Sequence, residues 1–304
     1  MRYTSFMNTK FSLRSFKRKY GTHDLCLEAI KKLRFPDNMD CPKCKTSSVF
    51  YRVSQRSSYA CKLSGHHIYP LAGTIFEKST TPLDLWFFAM YLMVQTRSGV
   101  SAQLERMLGV TYKTAWRMFK QIRMLMAQDP TLVDGIVEID ETFIGGKGKN
   151  RRYVPNFSEK PKEVVMGMVE RGGKAYAKHI PNTGKWTLLK QIKDHVSPTA
   201  RLITDEYYGY TGLKHYGYRH EFVAHKEIYV VGDIYTQSVE NLWSILKRGI
   251  YGVYRVVSPK YLQAYIEEYA WRFNNRQFQG LMFEKLLRQI TEVKPLKIQP
   301  ALAK

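Results

Sequence analysis

Residues 136–146 read IVEIDETFIGG. Apolar positions alternate with acids there, so the stretch has strand periodicity yet carries Glu138, Asp140 and Glu141 within four positions. A carboxylate in or beside a buried strand is costly unless something positive compensates it. Either this is a strand end with solvated acids, or one carboxylate is aimed at a metal ion.

A second apolar run, RLITDE (201–206), ends the same way, in Asp205 and Glu206. With a two-residue period Ile139 lies opposite Asp140 and Ile203 opposite Thr204, and each strand presents a carboxylate where apolar packing stops. If the two strands are neighbours, Asp140 and Asp205 converge. SVENLWSILKR (238–248) supplies a third acid. On a helical wheel Leu242, Ile245 and Leu246 form one face with Val239 beside them. Glu240, Ser244 and Lys247 form the opposing polar face, flanked by Asn241 and Arg248. Glu240 alone reads as an ordinary solvated acid, but with the two aspartates it completes a cluster. Such a cluster implies hard divalent cations, and oxygen ligands suit Mg²⁺ or Mn²⁺. Two ions ~3.5–4 Å apart activate an attacking oxygen and stabilise the leaving oxygen of an in-line phosphoryl transfer. Lys247 then lies where it can hold a DNA phosphate.

The surrounding pattern predicts a mixed α/β sheet. IVEIDETFI, VVMGMVE (164–170) and AYAKHI (175–180) read as three strands, the last two joined by a hairpin turn at Arg171-Gly172-Gly173-Lys174. A helix over 187–196, the 201–206 strand, a weaker strand at HEFVAH (220–225) and helices at 238–250 and 258–275 follow. Residues 145–162 carry six basic residues and one acid and read as a mobile basic loop. His215, His220 and His225 match neither a helix face nor a strand face and read as loop or structural histidines. Tyr207, Tyr208 and Tyr210 either stack on unpaired bases or pack in the core.

Composition narrows the partner. The 304 residues carry a net charge of +22, with 44% hydrophobic and 13% aromatic residues. The chain can bury a core, and its basic excess suits a polyanion, most commonly nucleic acid. The longest apolar run, LWFFAMYLMV (85–94), has ten residues and is too short for a bilayer; it reads as a buried helix. The first twenty residues hold six basic residues, no acid and no apolar stretch, unlike a secretory signal. These features predict a cytoplasmic protein.

Residues 101–127 have helix-turn-helix spacing: a first helix capped by Ser101 with Leu104, Met107 and Leu108 on one face, Gly109 at the turn, then a second helix. That second helix carries Ala115, Met118, Phe119 and Ile122 inward and Lys113, Arg117, Lys120 and Arg123 outward. Further upstream, HDLCLEAIKKLR (23–34) predicts a short helix with Leu25, Ala29, Ile30 and Leu33 on its apolar face. CPKC (41–44) is a zinc half-site, since a CxxC turn sets two thiolates for tetrahedral coordination. The second half, CKLSGHH (61–67), begins with Cys61 but has Ser64 where a second cysteine is expected. His66 or His67 then supplies the fourth ligand by a small loop shift, with Cys41, Cys44, Cys61 and His66 as the candidate set; otherwise zinc binds weakly or not at all. Cys26 reads as a buried helix residue.

IDETFIGGK (139–147), LITDEYYGY (202–210), SVENLWSILKRGIYG (238–252) and WRFNNR (271–276) resemble bacterial insertion-sequence transposases of the DDE class. The nearest group has a zinc ribbon, a helix-turn-helix and an ISXO2-like, ribonuclease-H-like catalytic domain. The resemblance runs from about residue 25 to 276. It implies Asp140, Asp205 and Glu240 as catalytic acids that cut DNA at element ends and join the 3′-hydroxyl to target DNA. Some relatives use Asn as the third residue, here Asn241; the Glu240–Lys247 face favours Glu240. It also implies two Mg²⁺ or Mn²⁺, double-stranded DNA as partner, a homodimer or higher assembly on DNA, and a nucleoid location. Lys113, Arg117, Lys120 and Arg248 are the candidate DNA contacts. The expected divisions are a basic segment and helix (1–34), a zinc-ribbon-like module (35–78), a helical region (79–130), the catalytic domain (131–280) and a tail (281–304). The rival readings are a DNA-binding regulator, an inactive derivative, and a nuclease on the same fold.

Overall fold

The alternation in 136–144 becomes the central strand of a five-stranded sheet in the computed structural model, which describes residues 11–96, 98–100, 104–128, 131–145, 162–223 and 234–292. The expected Ser101 cap, the basic loop apart from its end residues 145 and 162, and His225 lie outside the described residues. Chain contacts divide the protein into two compact units: residues 1–97, 102–125 and 278–304, and residues 98–101 with 126–277.

The first unit begins with α1 (Leu13–Tyr20) and α2 (His23–Arg34). A small antiparallel sheet follows, β1 (Phe50–Arg52), β2 (Tyr59–Cys61) and β3 (His67–Ile68), in the order β1-β2-β3. Then come α3 (Leu83–Gln95), α4 (Leu104–Leu108) and α5 (Tyr112–Met124). The expected buried helix is α3: Trp86, Phe87, Ala89, Met90 and Met93 are fully enclosed. Two expectations are corrected. Ile30 and Cys26 of α2 are buried as expected, but Leu25 and Leu33 are exposed and Leu27 is buried in their place, because the inward face is shifted around the helix. Residues before 23, read only as a basic segment, include α1, whose Phe16 and Tyr20 join an aromatic cluster with Phe87, Tyr91 and Phe283.

The second unit is built on β4 (Ile136–Ile144), β5 (Glu163–Glu170), β6 (Ala175–Ile180), α6 (Lys185–His195), β7 (Arg201–Asp205), β8 (Arg219–Val223), α7 (Gln237–Arg248) and α8 (Pro259–Asn274). The strand order is β6-β5-β4-β7-β8. β4, β5 and β6 pair antiparallel, whereas β7 runs parallel to β4 and β8 parallel to β7. This is the expected mixed sheet. Gly172, at φ 71°, turns the β5–β6 hairpin. One face packs Val137, Ile139, Met166 and Met168 on α6 through Leu188, Leu189 and Ile192. The other packs Val165, Val169 and Ala177 on α7 and α8. After α8, α9 (Met282–Arg288) returns to the first unit, where the sequence offered only a tail.

Candidate functional site

The pleat of β4 separates the three acids of the opening stretch. Glu138 and Asp140 share the face that α7 covers; Glu141 turns the other way. Glu138 is fully buried and accepts hydrogen bonds from the Ser238 and Val239 amides at the start of α7 and from Arg171. Asp140 accepts the indole N–H of Trp243, one helical turn after Glu240, at 2.8 Å. Glu141 accepts the phenol of buried Tyr210 on the α6 side.

β4 and β7 pair in register, Val137 with Leu202 and Glu138 with Ile203. Two residues further along, that register sets Asp140 beside Asp205 on one face. Asp205 is half-buried, and its Oδ1 takes the Tyr207 amide at 3.0 Å. Glu240 is exposed in the first turn of α7, where Thr236 donates to its Oε1 at 3.3 Å. The electrostatics tie the three together. Burial pushes the Asp140 carboxyl up to about 6; the Trp243 bond and the Glu141 amide pull it down, and the charges of Asp205 and Glu240 push it up further. Burial likewise pushes Glu141 up to about 7, against the Tyr210 bond and with help from Asp140 and Asp205. Carboxyls displaced upward by burial, and to a lesser extent by their acidic neighbours, are a donor set short of positive charge, and an oxygen-preferring divalent cation fits it. The acids do not draw together as tightly as the cysteines described below, which alone among the described residues bring three ligand atoms within 4.8 Å of one another.

Lys247 is half-buried two turns beyond Glu240, and Arg248 is exposed with its Nε donating to the Ser244 carbonyl. Asn241 is exposed beside Glu240. Trp243 was absent from the wheel reading, which named Leu242, Ile245 and Leu246; it is buried while Ile245 is only half so. The signal for it was Gly167, paired with Asp140 across the sheet. A Cβ there would meet the Trp243 ring at 2.6 Å, so only glycine lets the indole reach the acid. His220, read as a loop or structural histidine at the start of the weaker strand, lies on β8 and shares a 2.9 Å hydrogen bond with Thr204, while His215 is exposed.

In the first unit Gly109 takes φ 63° between α4 and α5, the left-handed turn expected of a helix-turn-helix. Ala115, Met118, Phe119 and Ile122 are buried as expected. Lys113 is exposed, Arg117 is within 3.4 Å of the Ser79 hydroxyl, and Lys120 sits 5.4 Å from the Trp116 ring centre. These residues line an open groove of about 420 Å³. Arg123, expected outward, is buried, because it falls on the inner side next to Ile122.

The cysteines form two matching knuckles. Lys45 N–H returns to the Cys41 carbonyl at 2.9 Å, and Gly65 N–H to the Cys61 carbonyl at 3.0 Å; both closing residues have positive φ. Position 44 in the first corresponds to position 64 in the second. The Sγ atoms of Cys41, Cys44 and Cys61 cluster, and Ser64 Oγ lies 3.3 Å from Cys41 Sγ. His66 does not join them: its amide donates to Ser64 Oγ, while the ring of His67 bonds Ser58. The expected Cys₃His set is not assembled here: Ser64, rather than His66, lies beside the three thiols. Although burial opposes it, hydrogen bonds from Ser48, Ser64 and nearby amides bring the Cys61 thiol down to about 5, a thiolate suited to zinc.

A mixed sheet with two parallel-strand acids and a third on the helix across it defines a ribonuclease-H-like domain. Residues 132–274 match the ISXO2-like transposase domain, and residues 21–67 match the transposase zinc-ribbon domain. The chain thus carries an ISXO2-like transposase domain preceded by a transposase zinc-ribbon domain. It is also 28% identical over 264 residues to a protein of transposable element ISH50 from Halobacterium salinarum, covering 80% of this chain and 88% of that one. A chain of the simian T-cell lymphotropic virus intasome, solved in complex with PP2A regulatory subunit B56 gamma, matches 59% of this chain and 66% of its own length at 15% identity. Its TM-score of 0.29 is too low to equate individual elements. No helix among the described residues is long and apolar enough to cross a membrane.

Proposed function

We propose that the chain is an active DDE transposase that binds the terminal repeats of its element, cleaves the DNA ends and joins them to a target duplex. The observation that carries the reading is the juxtaposition of Asp140 and Asp205 on adjacent parallel strands, with Glu240 near enough to raise the Asp140 carboxyl. Asp140, Asp205 and Glu240 would hold two Mg²⁺ or Mn²⁺. When bound, such ions activate the attacking oxygen and stabilise the leaving one. Glu240 is preferred to Asn241 as the third ligand because an amide contributes no charge to that balance. Trp243 and Gly167 orient Asp140, the Tyr207 amide orients Asp205, and Lys247 steadies a phosphate of the bound strand.

In cleavage, water attacks the phosphorus at the element end; the bond to the 3′-oxygen breaks, and that oxygen leaves as a hydroxyl. In joining, this hydroxyl attacks a target phosphodiester, one P–O bond forms as another breaks, and no external energy source is needed. The α5 face, with Lys113, Arg117 and Lys120, supports binding of duplex DNA, with Arg248 on α7 as a further phosphate contact. The ribbon would hold zinc through Cys41, Cys44 and Cys61. Two ends must meet, which favours a dimer or larger assembly on DNA.

The test is strand transfer from a pre-cleaved element end into plasmid, with Mn²⁺ or EDTA, for wild type and Asp205→Ala. Joined product that requires both metal and Asp205 is expected. Binding without joining favours a regulator or an inactive derivative, and nicking without joining favours a nuclease.

A further inference from the structure

We infer that Glu138 is a positioning residue that seats the first turn of α7 and thereby holds Glu240 opposite Asp140. A carboxylate on a sheet interior with 0% exposure needs full compensation, and every contact it makes leads toward one short segment. Its Oε2 accepts the amides of Ser238 at 2.6 Å and Val239 at 3.2 Å; its Oε1 accepts the Ser238 hydroxyl at 3.1 Å. These are orphan donors at a helix start, where the helix dipole also favours a negative charge. Arg171, from the β5–β6 hairpin, donates to the same carboxylate at 2.7 Å. Its guanidinium also lies 3.6 Å from the Tyr235 ring centre and donates to the Tyr235 carbonyl at 2.7 Å. The next residue is Thr236, whose hydroxyl reaches Glu240.

Residues 235–239 are thus held from both sides, and Glu240 follows them directly. Glu138 and Asp140 are one pleat apart on the same face of β4. A single strand therefore carries both the first acid of the site and the seat of the third, so the gap between Asp140 and Glu240 is set by one rigid repeat. Glu138 touches neither metal nor DNA in this scheme; it acts through Glu240.

This inference rests on the proposed role of Glu240, and the experiment separates the two. Mn²⁺ affinity of the full chain is measured by titration calorimetry for wild type, Glu240→Gln, Glu138→Gln and the double variant. Glu240→Gln should weaken binding. Glu138→Gln should weaken it by about tenfold or more, the usual effect of losing an outer-shell partner, and should add nothing in the Glu240→Gln background. An unchanged affinity in folded Glu138→Gln overturns the inference, as does an equal loss in both backgrounds. No effect of Glu240→Gln overturns the reading of the site itself, and the inference with it. Should Glu138→Gln fail to fold, Ser238→Ala removes only the 3.1 Å contact and carries the same comparison, with a smaller loss expected in the wild-type background alone.

Discussion

Trp243 donates its indole N–H to Oδ2 of Asp140 at 2.8 Å, and it reaches that oxygen over a residue with no side chain, Gly167. The bond favours the ionised carboxylate, the form a metal ligand must take. Trp243→Phe keeps the buried ring but removes the donor, so the Asp140 carboxyl should rise further. Mn²⁺ affinity and strand transfer should each fall by about tenfold or more. Gly167→Ala should act on the same contact sterically, with a stability loss of ~1–3 kcal/mol from overpacking. A Gly167→Ala protein with wild-type melting temperature and activity would show that the ring has room elsewhere.

The upward displacement of Asp140 and Glu141 gives stability a defined pH dependence in metal-free protein. Both carboxyls bind a proton more tightly folded than unfolded, so the stabilisation is complete below their unfolded values of ~4. It is lost as pH climbs through about 6 for Asp140 and about 7 for Glu141. In EDTA the melting temperature should fall between pH 5 and pH 8, and an Asp140→Asn/Glu141→Gln double variant should show a shallower fall. Mn²⁺ should raise the wild-type melting temperature more at pH 8 than at pH 5, since protons compete for the same oxygens. A wild-type slope equal to that of the double variant would sink the assignment.

The paired knuckles make a specific claim about zinc. Ser64 stands where a fourth thiolate would, so Ser64→Cys should convert a three-sulfur site into a four-sulfur one. Chelator competition should show tighter zinc binding, and Co²⁺ substitution should show stronger thiolate charge-transfer absorption. His66→Ala should leave both readouts near wild type. Loss of metal in His66→Ala would restore the ligand set that the sequence suggested.

The sequence pointed to His66 rather than position 64 for a reason that applies elsewhere in the chain. Spacing identified CPKC and Cys61, but only the two matching turns reveal that position 64 lies beside the three thiols whatever residue occupies it. Periodicity found β4, β7 and α7 because each carries an apolar face, and it brought Asp140 and Asp205 together only if their strands are neighbours; the structure makes them so, with Asp140 in the middle of β4 rather than at its end. It could not distinguish Glu138 from Asp140, which lie on the same face of the same strand. Their different surroundings come from Arg171 and Ser238, 33 and 100 residues away in sequence. Trp243 escaped notice likewise, since an amphipathic wheel has no knowledge of the glycine across the sheet. The α2 face was misassigned in part because Leu25 and Leu33 fit the spacing as well as Leu27 does.

The basic face of α5 leads to a prediction about salt. Lys113 is exposed, and Lys120 has its ammonium 5.4 Å from the Trp116 ring centre, both lining the α5 groove. If each neutralises one phosphate of duplex DNA, binding should weaken with rising salt, and each alanine variant should reduce the slope of log K against log[salt] by about 0.9. Trp116→Ala should lower affinity with less change in slope, because it disturbs the placement of a charge without removing it. Arg117, which spends part of its donor capacity on Ser79, should contribute a smaller slope change than Lys113. Filter binding or fluorescence anisotropy over a range of salt on an element-end duplex checks all four variants together. Slopes unchanged in both lysine variants would show that duplex DNA approaches a face other than α5.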